Sequence, residues 1–231
     1  NLKETQLTHV VEGQNSTIVL DAYPDHTFQA KVHRIAPATG ADLIERLLDG
    51  PTNAPERRPA TVGLDRDVYA RCFAALPLAC QRAIRARWGE PERDPFFRTE
   101  DRSFALPLLR LGQLIVGIQP ARGYNIDPQA TDHDPALVPP HGYLAFYFWL
   151  REVAKVHAVV HMGKHGNLEW LPGRSVALGA DCYPEMALGP MPHIYPFIVN
   201  DPGEGTQAKR RAPAVIVDHL TPPLTRAESY G

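Results

Sequence analysis

Four short apolar runs, Leu114–Ile118, Ala158–Met162, Ile194–Val199 and Ala214–Val217, alternate with stretches at 142–154 and 204–211 that carry helical spacing. That alternation predicts βαβ units and a mostly parallel sheet, so the expected fold class is α/β. Each run ends in a polar or Gly/Pro-rich loop: residues 119–125, then 161–169, then Asn200 to Glu204, then Asp218-His219. In open parallel sheets ligands bind outside the carboxyl ends of the strands, and these four loops are expected to converge on one cleft. Proline accounts for 23 of 231 residues, about twice the usual share of ~5%. Because the prolines are spread among apolar segments, they predict long, stiff, ordered loops.

The chain is long enough, with 44% apolar residues, to bury one core and carry a small appendage. Its 24 basic and 26 acidic side chains leave a formal charge of -2, so no global field recruits nucleic acid or an anionic membrane, and any anion site must be local. No apolar run reaches the ~18 residues that a bilayer span needs. The amino terminus, Asn1-Leu2-Lys3-Glu4-Thr5-Gln6, has neither Met nor a signal-peptide pattern, and a soluble piece of a longer protein is expected. Cys72, Cys80 and Cys182 form no C-x-x-C pair; they read as reduced core thiols of a cytoplasmic protein.

Ahead of the alternating region, Ser16 to Leu20 and Thr27 to Ile35 read as a hairpin turning at Tyr23-Pro24-Asp25. A helical face, Leu43-Ile44 and Leu47-Leu48, runs to Gly50-Pro51, and 51–60 is a polar loop. Asp65 is placed to cap a helix carrying Val68, Cys72 and Leu76, with a second helix through Ala83, Ile84 and Trp88 after Pro77. These two helices are expected to form a lid or flank.

His161, His165 and Glu169 recur at intervals of four. On a helix all three would share a face, but Gly163 and Gly166 argue for a glycine-hinged loop after a strand. Two imidazoles and a carboxylate can still meet there around Co²⁺ or Zn²⁺. Equally, one His can pack under Trp170 while the other caps a carbonyl. Arg122, beside Gly123, can grip a carboxylate with two bonds or brace its loop through a salt bridge. Tyr124 and Trp170 can stack on a flat ring or belong to the core. Lys209-Arg210-Arg211 in the last candidate helix is either a solvated face or an anion grip. His141 reads as a packing or capping residue, and His133 as part of a solvated acidic turn.

Two resemblances add to this reading. Residues 1–41, through Asp21-Ala22-Tyr23-Pro24-Asp25 and Ile35-Ala36-Pro37-Ala38-Thr39-Gly40, resemble the β-barrel part of periplasmic membrane-fusion adaptors, without that family's coiled coil or membrane anchor. Residues 42–231 resemble the large subunit of cobaltochelatases of the CobN type. The resemblance rests on Val116 to Asn125, Val138 to Tyr147, His161 to Gly173 and Pro196 to Arg211. The porphyrin-binding subunit of magnesium chelatase shares the His-x-Gly-x-His-Gly-x-Leu-Glu frame and is the alternative; an adaptor or transport scaffold is a second. One departure is Arg174, where the family is expected to have Lys. A fusion near Thr39–Asp42 would reconcile both resemblances.

The chelatase resemblance implies insertion of Co²⁺, as substrate, into the corrin-type tetrapyrrole hydrogenobyrinic acid a,c-diamide during aerobic cobalamin biosynthesis. ATP and Mg²⁺ would be used by separate AAA+ ATPase partners acting with accessory chelatase subunits. Consistent with that division, the chain has no Gly-x-x-x-x-Gly-Lys-[Ser/Thr] phosphate loop. Glu169 becomes the candidate base, with His161 and His165 as transient metal ligands. Arg122, Tyr124, Asn125, Lys209 and Arg210 become substrate-binding candidates. The family subunit is several times longer, so this piece is expected to be inactive alone.

Overall fold

A computed structural model describes residues 15–20, 23–31, 62–123, 134, 136–162, 166–176, 178–196 and 202–217. Strands β1 (Asn15–Leu20) and β2 (Tyr23–Lys31) pair antiparallel, with Ser16 opposite Ala30 and Leu20 opposite Tyr23. Tyr23, Pro24 and Asp25 therefore belong to the second strand and are not the turn. The expected helix at 42–50 and loop at 51–60 lie outside the described residues.

Strand β3 (Val62–Asp65) runs directly into helix α1 (Arg66–Ala74), because Asp65 accepts the orphan amides of Asp67 and Val68 at 2.8 and 3.1 Å. Helix α2 (Leu78–Trp88) starts after Pro77 and ends at Gly89, whose φ of 82° suits glycine. Both helices occur where the capping signals place them, and of the two alternatives, lid or flank, they pack as a flank on the main core. Tyr69, Phe73 and Ile84 are buried in the main core, and the Tyr69 ring lies 4.6 Å from Phe104 and 5.7 Å from Phe148.

Strands β4 (Phe97–Arg98) and β5 (Ser103–Leu106) join β3 in an antiparallel sheet of order β3-β5-β4. Strands β6 (Leu108–Leu111) and β7 (Leu114–Gly117) form a separate antiparallel hairpin. This corrects one expectation: the run Leu114–Ile118 does not enter the parallel sheet. Gly112, with a φ of 63°, permits a tight reversal that pairs it with the preceding strand.

Helix α3 (His141–Phe148) is buried at every position, and Trp149 and Leu150 of the π-helical turn Trp149–Val153 continue it inward. A helix apolar on all sides belongs in the middle of a core. Its amino end has no cap of its own. The Asp94 carboxylate supplies one instead, accepting from Gly142 N at 2.7 Å and from Phe96 N at 2.9 Å.

The α/β class is carried by the last third of the chain. Strand β8 (Val159–Val160), helix α4 (Tyr183–Leu188), strand β9 (His193–Pro196), helix α5 (Pro202–Arg211) and strand β10 (Ala214–Val217) form two successive βαβ units. The sheet order is β10-β9-β8, and both pairings are parallel, with His193 opposite Val159 on one side and Ala214 on the other. Tyr195, Ala208 and Ala214 make a small buried cluster between the sheet and α5. The opposite face, formed by Val160, Met162, Val215 and Val217, is open to solvent. Cys80 and Cys182 are buried and Cys72 half-buried, all as free thiols. Among the described residues no helix is long and apolar enough to cross a membrane.

Candidate functional site

Two of the four loops after the apolar runs meet around Gly166, beside strand β9; Asn200 and Asp201 of the third loop lie outside the described residues. Asn167 N donates to Gln119 Oε1 at 2.9 Å, and its Nδ2 donates to the Pro120 carbonyl at 3.0 Å, tying the loop after β7 to the loop after β8. Gly166 N donates to the Tyr195 hydroxyl, tying the same loop to β9. From the core, Tyr143 OH donates to Asn167 Oδ1 at 2.8 Å and Gln119 Nε2 donates to Tyr147 OH at 2.7 Å. Glycine is required at 166 by the neighbouring imidazole: a Cβ there would stand 2.6 Å from His161 Cε1 and 2.9 Å from its Nε2. Asp218 and His219, the fourth loop, lie outside the described residues.

Beyond Asn167 the chain winds into a short 3₁₀ turn, Leu168–Trp170, which carries Glu169 inward until only 1% of it is exposed. Its charge acts on Tyr143, Tyr147 and Arg211. Burial first, and then the neighbouring Tyr147 and Glu169, push the Tyr143 phenol well above its ordinary value, opposed by Arg122. Tyr147 is pushed up to about 12, again mainly by burial. Both phenols therefore stay protonated at neutral pH and remain able to donate. Glu169 and Arg122, read from sequence as two separate candidates, thus both act electrostatically on one buried tyrosine that sequence reasoning treated only as part of an apolar helix. Its signal was present in the spacing of Tyr143 and Tyr147, which share a helix face at i and i+4.

Arg122 is 2% exposed, and its Nη2 donates to the Asp134 carbonyl at 2.7 Å. It braces its loop through a backbone acceptor. The basic triple also divides. Lys209 and Arg210 are exposed on the last turn of α5, whereas Arg211 is buried and donates to the carbonyls of Leu171 at 2.7 Å and Arg174 at 3.0 Å, the segment just after Glu169. Desolvation lowers the Arg211 pKa, and the charges of Cys182 and Glu169 raise it in opposition. The helical period explains the division, since three consecutive residues cannot share one face. Tyr124, Asn125 and His165 lie outside the described residues.

His161 is half-buried, its amide bonded to the Ile194 carbonyl at 2.9 Å and its ring edge-on to Tyr195 at 4.5 Å. A histidine that the sequence reading passed over stands nearby: His193, on β9, with ring centroids 6.3 Å apart. The alternation of β9 puts His193 and Tyr195 on one face, and their rings stack at 5.6 Å. His193 is 3% exposed, and burial lowers its pKa against the opposing hydrogen bond to the Ala212 carbonyl. Among the described residues no group of three or more His, Cys, Asp or Glu side chains is placed to hold a metal ion. Of the expected trio, His165 lies outside the described residues, while His161 leans on Tyr195 and Glu169 turns into the core. His141 is fully buried between the Tyr69 hydroxyl, 2.5 Å from Nδ1, and the Gly89 carbonyl, 3.0 Å from Nε2, a packing role.

The aerobic cobaltochelatase subunit CobN of Pseudomonas aeruginosa is 61% identical over 198 residues, covering 84% of this chain and 16% of that protein. A magnesium-chelatase subunit of Rhodobacter capsulatus is 34% identical over 210 residues, covering 89% of this chain and 17% of that protein. A solved structure of the catalytic subunit of cobaltochelatase from Mycobacterium tuberculosis superposes with a TM-score of 0.66 at 46% identity, over 83% of this chain and 16% of that one. The chain thus spans about a sixth of the length of the relatives it matches. The adaptor resemblance of residues 1–41 finds no support, since the family match begins at residue 19 and takes in most of that hairpin. Matched by the CobN/Magnesium Chelatase model over residues 19–231, and 61% identical to a CobN subunit, the chain belongs to that family.

Proposed function

We propose that this chain is the part of a cobaltochelatase large subunit that brings a corrin-type tetrapyrrole, hydrogenobyrinic acid a,c-diamide, together with Co²⁺. The observation that carries the choice of cobalt over magnesium is the identity of 61% to a CobN subunit against 34% to a magnesium-chelatase subunit. Metal enters such a ring only as two ring N–H protons leave and the ion sheds water. A proton acceptor and exchangeable ligands are therefore needed in a place shielded from bulk solvent. Glu169, withdrawn from water beside Tyr143 and Tyr147, is the acceptor. His161 supplies neutral nitrogen to the incoming ion, with His165 on the same loop as a further donor. Lys209 and Arg210, exposed at the end of α5, together with Tyr124 and Asn125, would meet the carboxylate-bearing edge of the ring. Arg122 acts at one remove, holding the 119–122 loop in place through Asp134. ATP hydrolysis, with its Mg²⁺, belongs to AAA+ partner subunits, and the reaction takes place in the cytoplasm.

The test uses the large subunit with its ATPase partners and compares wild type with Glu169→Gln, His161→Ala and His165→Ala. Gln keeps the size of Glu but does not accept a proton at neutral pH. A positioned base contributes ~10²–10⁴-fold in rate, so Glu169→Gln should bind the corrinoid normally and lose insertion by that order, read from the cobalt-dependent absorbance change. Wild-type insertion rates in all three variants would defeat the assignment.

A further inference from the structure

His193 has a fixed tautomer. Its Nδ1 lies 2.9 Å from the Ala212 carbonyl, and a carbonyl only accepts. The ring proton therefore sits on Nδ1, and the lone pair sits on Nε2. An imidazole whose far N–H is held by a backbone carbonyl is oriented as metal-binding histidines are, with its basicity raised by that bond. The neighbouring parallel strand ends in His161, 6.3 Å away between centroids. Tyr195 touches both rings, stacking on His193 and edge-on to His161, and its own hydroxyl is engaged by Gly166 N. His193 is thus mounted on the central strand of the sheet, and His161 directly follows the neighbouring edge strand β8. The donor type narrows the ligand: neutral imidazole nitrogen suits ions of intermediate softness such as Co²⁺, whereas Mg²⁺ and Ca²⁺ take oxygen.

Resting on the cobaltochelatase reading above, we infer that His193 and His161 form a two-nitrogen waiting site for Co²⁺, the metal substrate. Two protein ligands leave the remaining positions to water, which the ring nitrogens of the tetrapyrrole can displace. A closed site of four protein ligands would hold the ion too firmly to surrender it. His193 is then the residue that discriminates cobalt from magnesium in this chain, through a nitrogen ligand that Mg²⁺ does not favour.

The experiment titrates CoCl₂ into the intact chain without tetrapyrrole and follows the visible d–d absorption, whose intensity rises when the aqua ion gains imidazole nitrogen and loses water. Wild type should show a saturable change that excess Mg²⁺ does not reverse. His193→Asn retains an N–H for Ala212 and lacks the Nε2 lone pair; it should weaken binding more than about tenfold with an unchanged thermal midpoint. His161→Ala should do the same, and His157→Ala, an exposed histidine outside the site, should have no effect. No saturable change in wild type, or wild-type affinity in His193→Asn, overturns the inference. In the assembled chelatase the two ideas separate. If cobalt is inserted at wild-type rate by His193→Asn, the waiting site is wrong and the cobaltochelatase reading stands. If the chain holds Co²⁺ through His193 while the assembly inserts no cobalt, the site stands and the reading falls.

Discussion

At the scale of single residues, the site is governed by which polar groups are buried and what they then face. His141 and His193 are both desolvated, and burial lowers both pKa values from the ordinary 6.5. Their carbonyl partners assign opposite tautomers: His141 carries its proton on Nε2, facing Gly89, and His193 on Nδ1, facing Ala212. Nitrogen-15 NMR of the two rings should show one of each, and an Nε2–H pattern for His193 would contradict the geometry. The same burial sets a pH dependence. Below pH 6.5 the unfolded chain takes up protons that these two folded imidazoles refuse, so stability is complete above that value and falls as pH drops through it. The slope is at most about 1.4 kcal/mol per pH unit per histidine. Melting temperature measured from pH 7.5 to 5.5 should therefore fall on the acid side, and a flat or rising profile would refute the assignment. None of this was legible from sequence, which contains ten histidines and does not say which are desolvated.

Among the elements, α3 has the least support from its own sequence at its amino end. Pro140 offers no side-chain cap, and Asp94, remote in sequence, accepts from Gly142 N at 2.7 Å. A carboxylate there also suits the positive end of the helix. Asp94→Ala should cost about 1–3 kcal/mol, lowering the thermal midpoint by roughly 2–4 °C per kcal/mol for a chain of this size. Because α3 supplies Tyr143 and Tyr147, the corrinoid binding proposed for this chain should weaken with it. Asp65→Ala, which removes the exposed cap of α1, should cost about 1 kcal/mol and leave the site alone. Equal effects of the two substitutions, read by thermal denaturation and tryptophan quenching, would mean that the buried cap is not special. Asp65 was legible because an N-cap acts on residues two and three positions later. Asp94 was not, because its partner is 48 positions away.

For the whole molecule, two observations carry predictions. The main core runs from Leu64 to Ala212, so a chain lacking residues 1–41 should keep a single cooperative thermal transition; loss of that transition would join the hairpin to the core. Parallel sheets are normally covered on both faces, yet Val215 is 63% and Met162 74% exposed on the face away from α5. The chain should bind the hydrophobic dye ANS in its folded state, and Val215→Thr with Val217→Thr should reduce that fluorescence without lowering the melting temperature. Dye binding unchanged by both substitutions would place the exposed apolar surface elsewhere. By itself the sequence determined the α/β class, the capped helix after Asp65, the helix after Pro77 and strand β10, since local spacing and capping act within a few residues. Tertiary structure alone decided that Leu114–Gly117 pairs antiparallel, that Arg122 and Arg211 turn inward to backbone carbonyls, and that His193 stands beside His161. Those outcomes depend on which distant segments compete for the same hydrogen bonds and the same buried volume, and no local pattern carries that information.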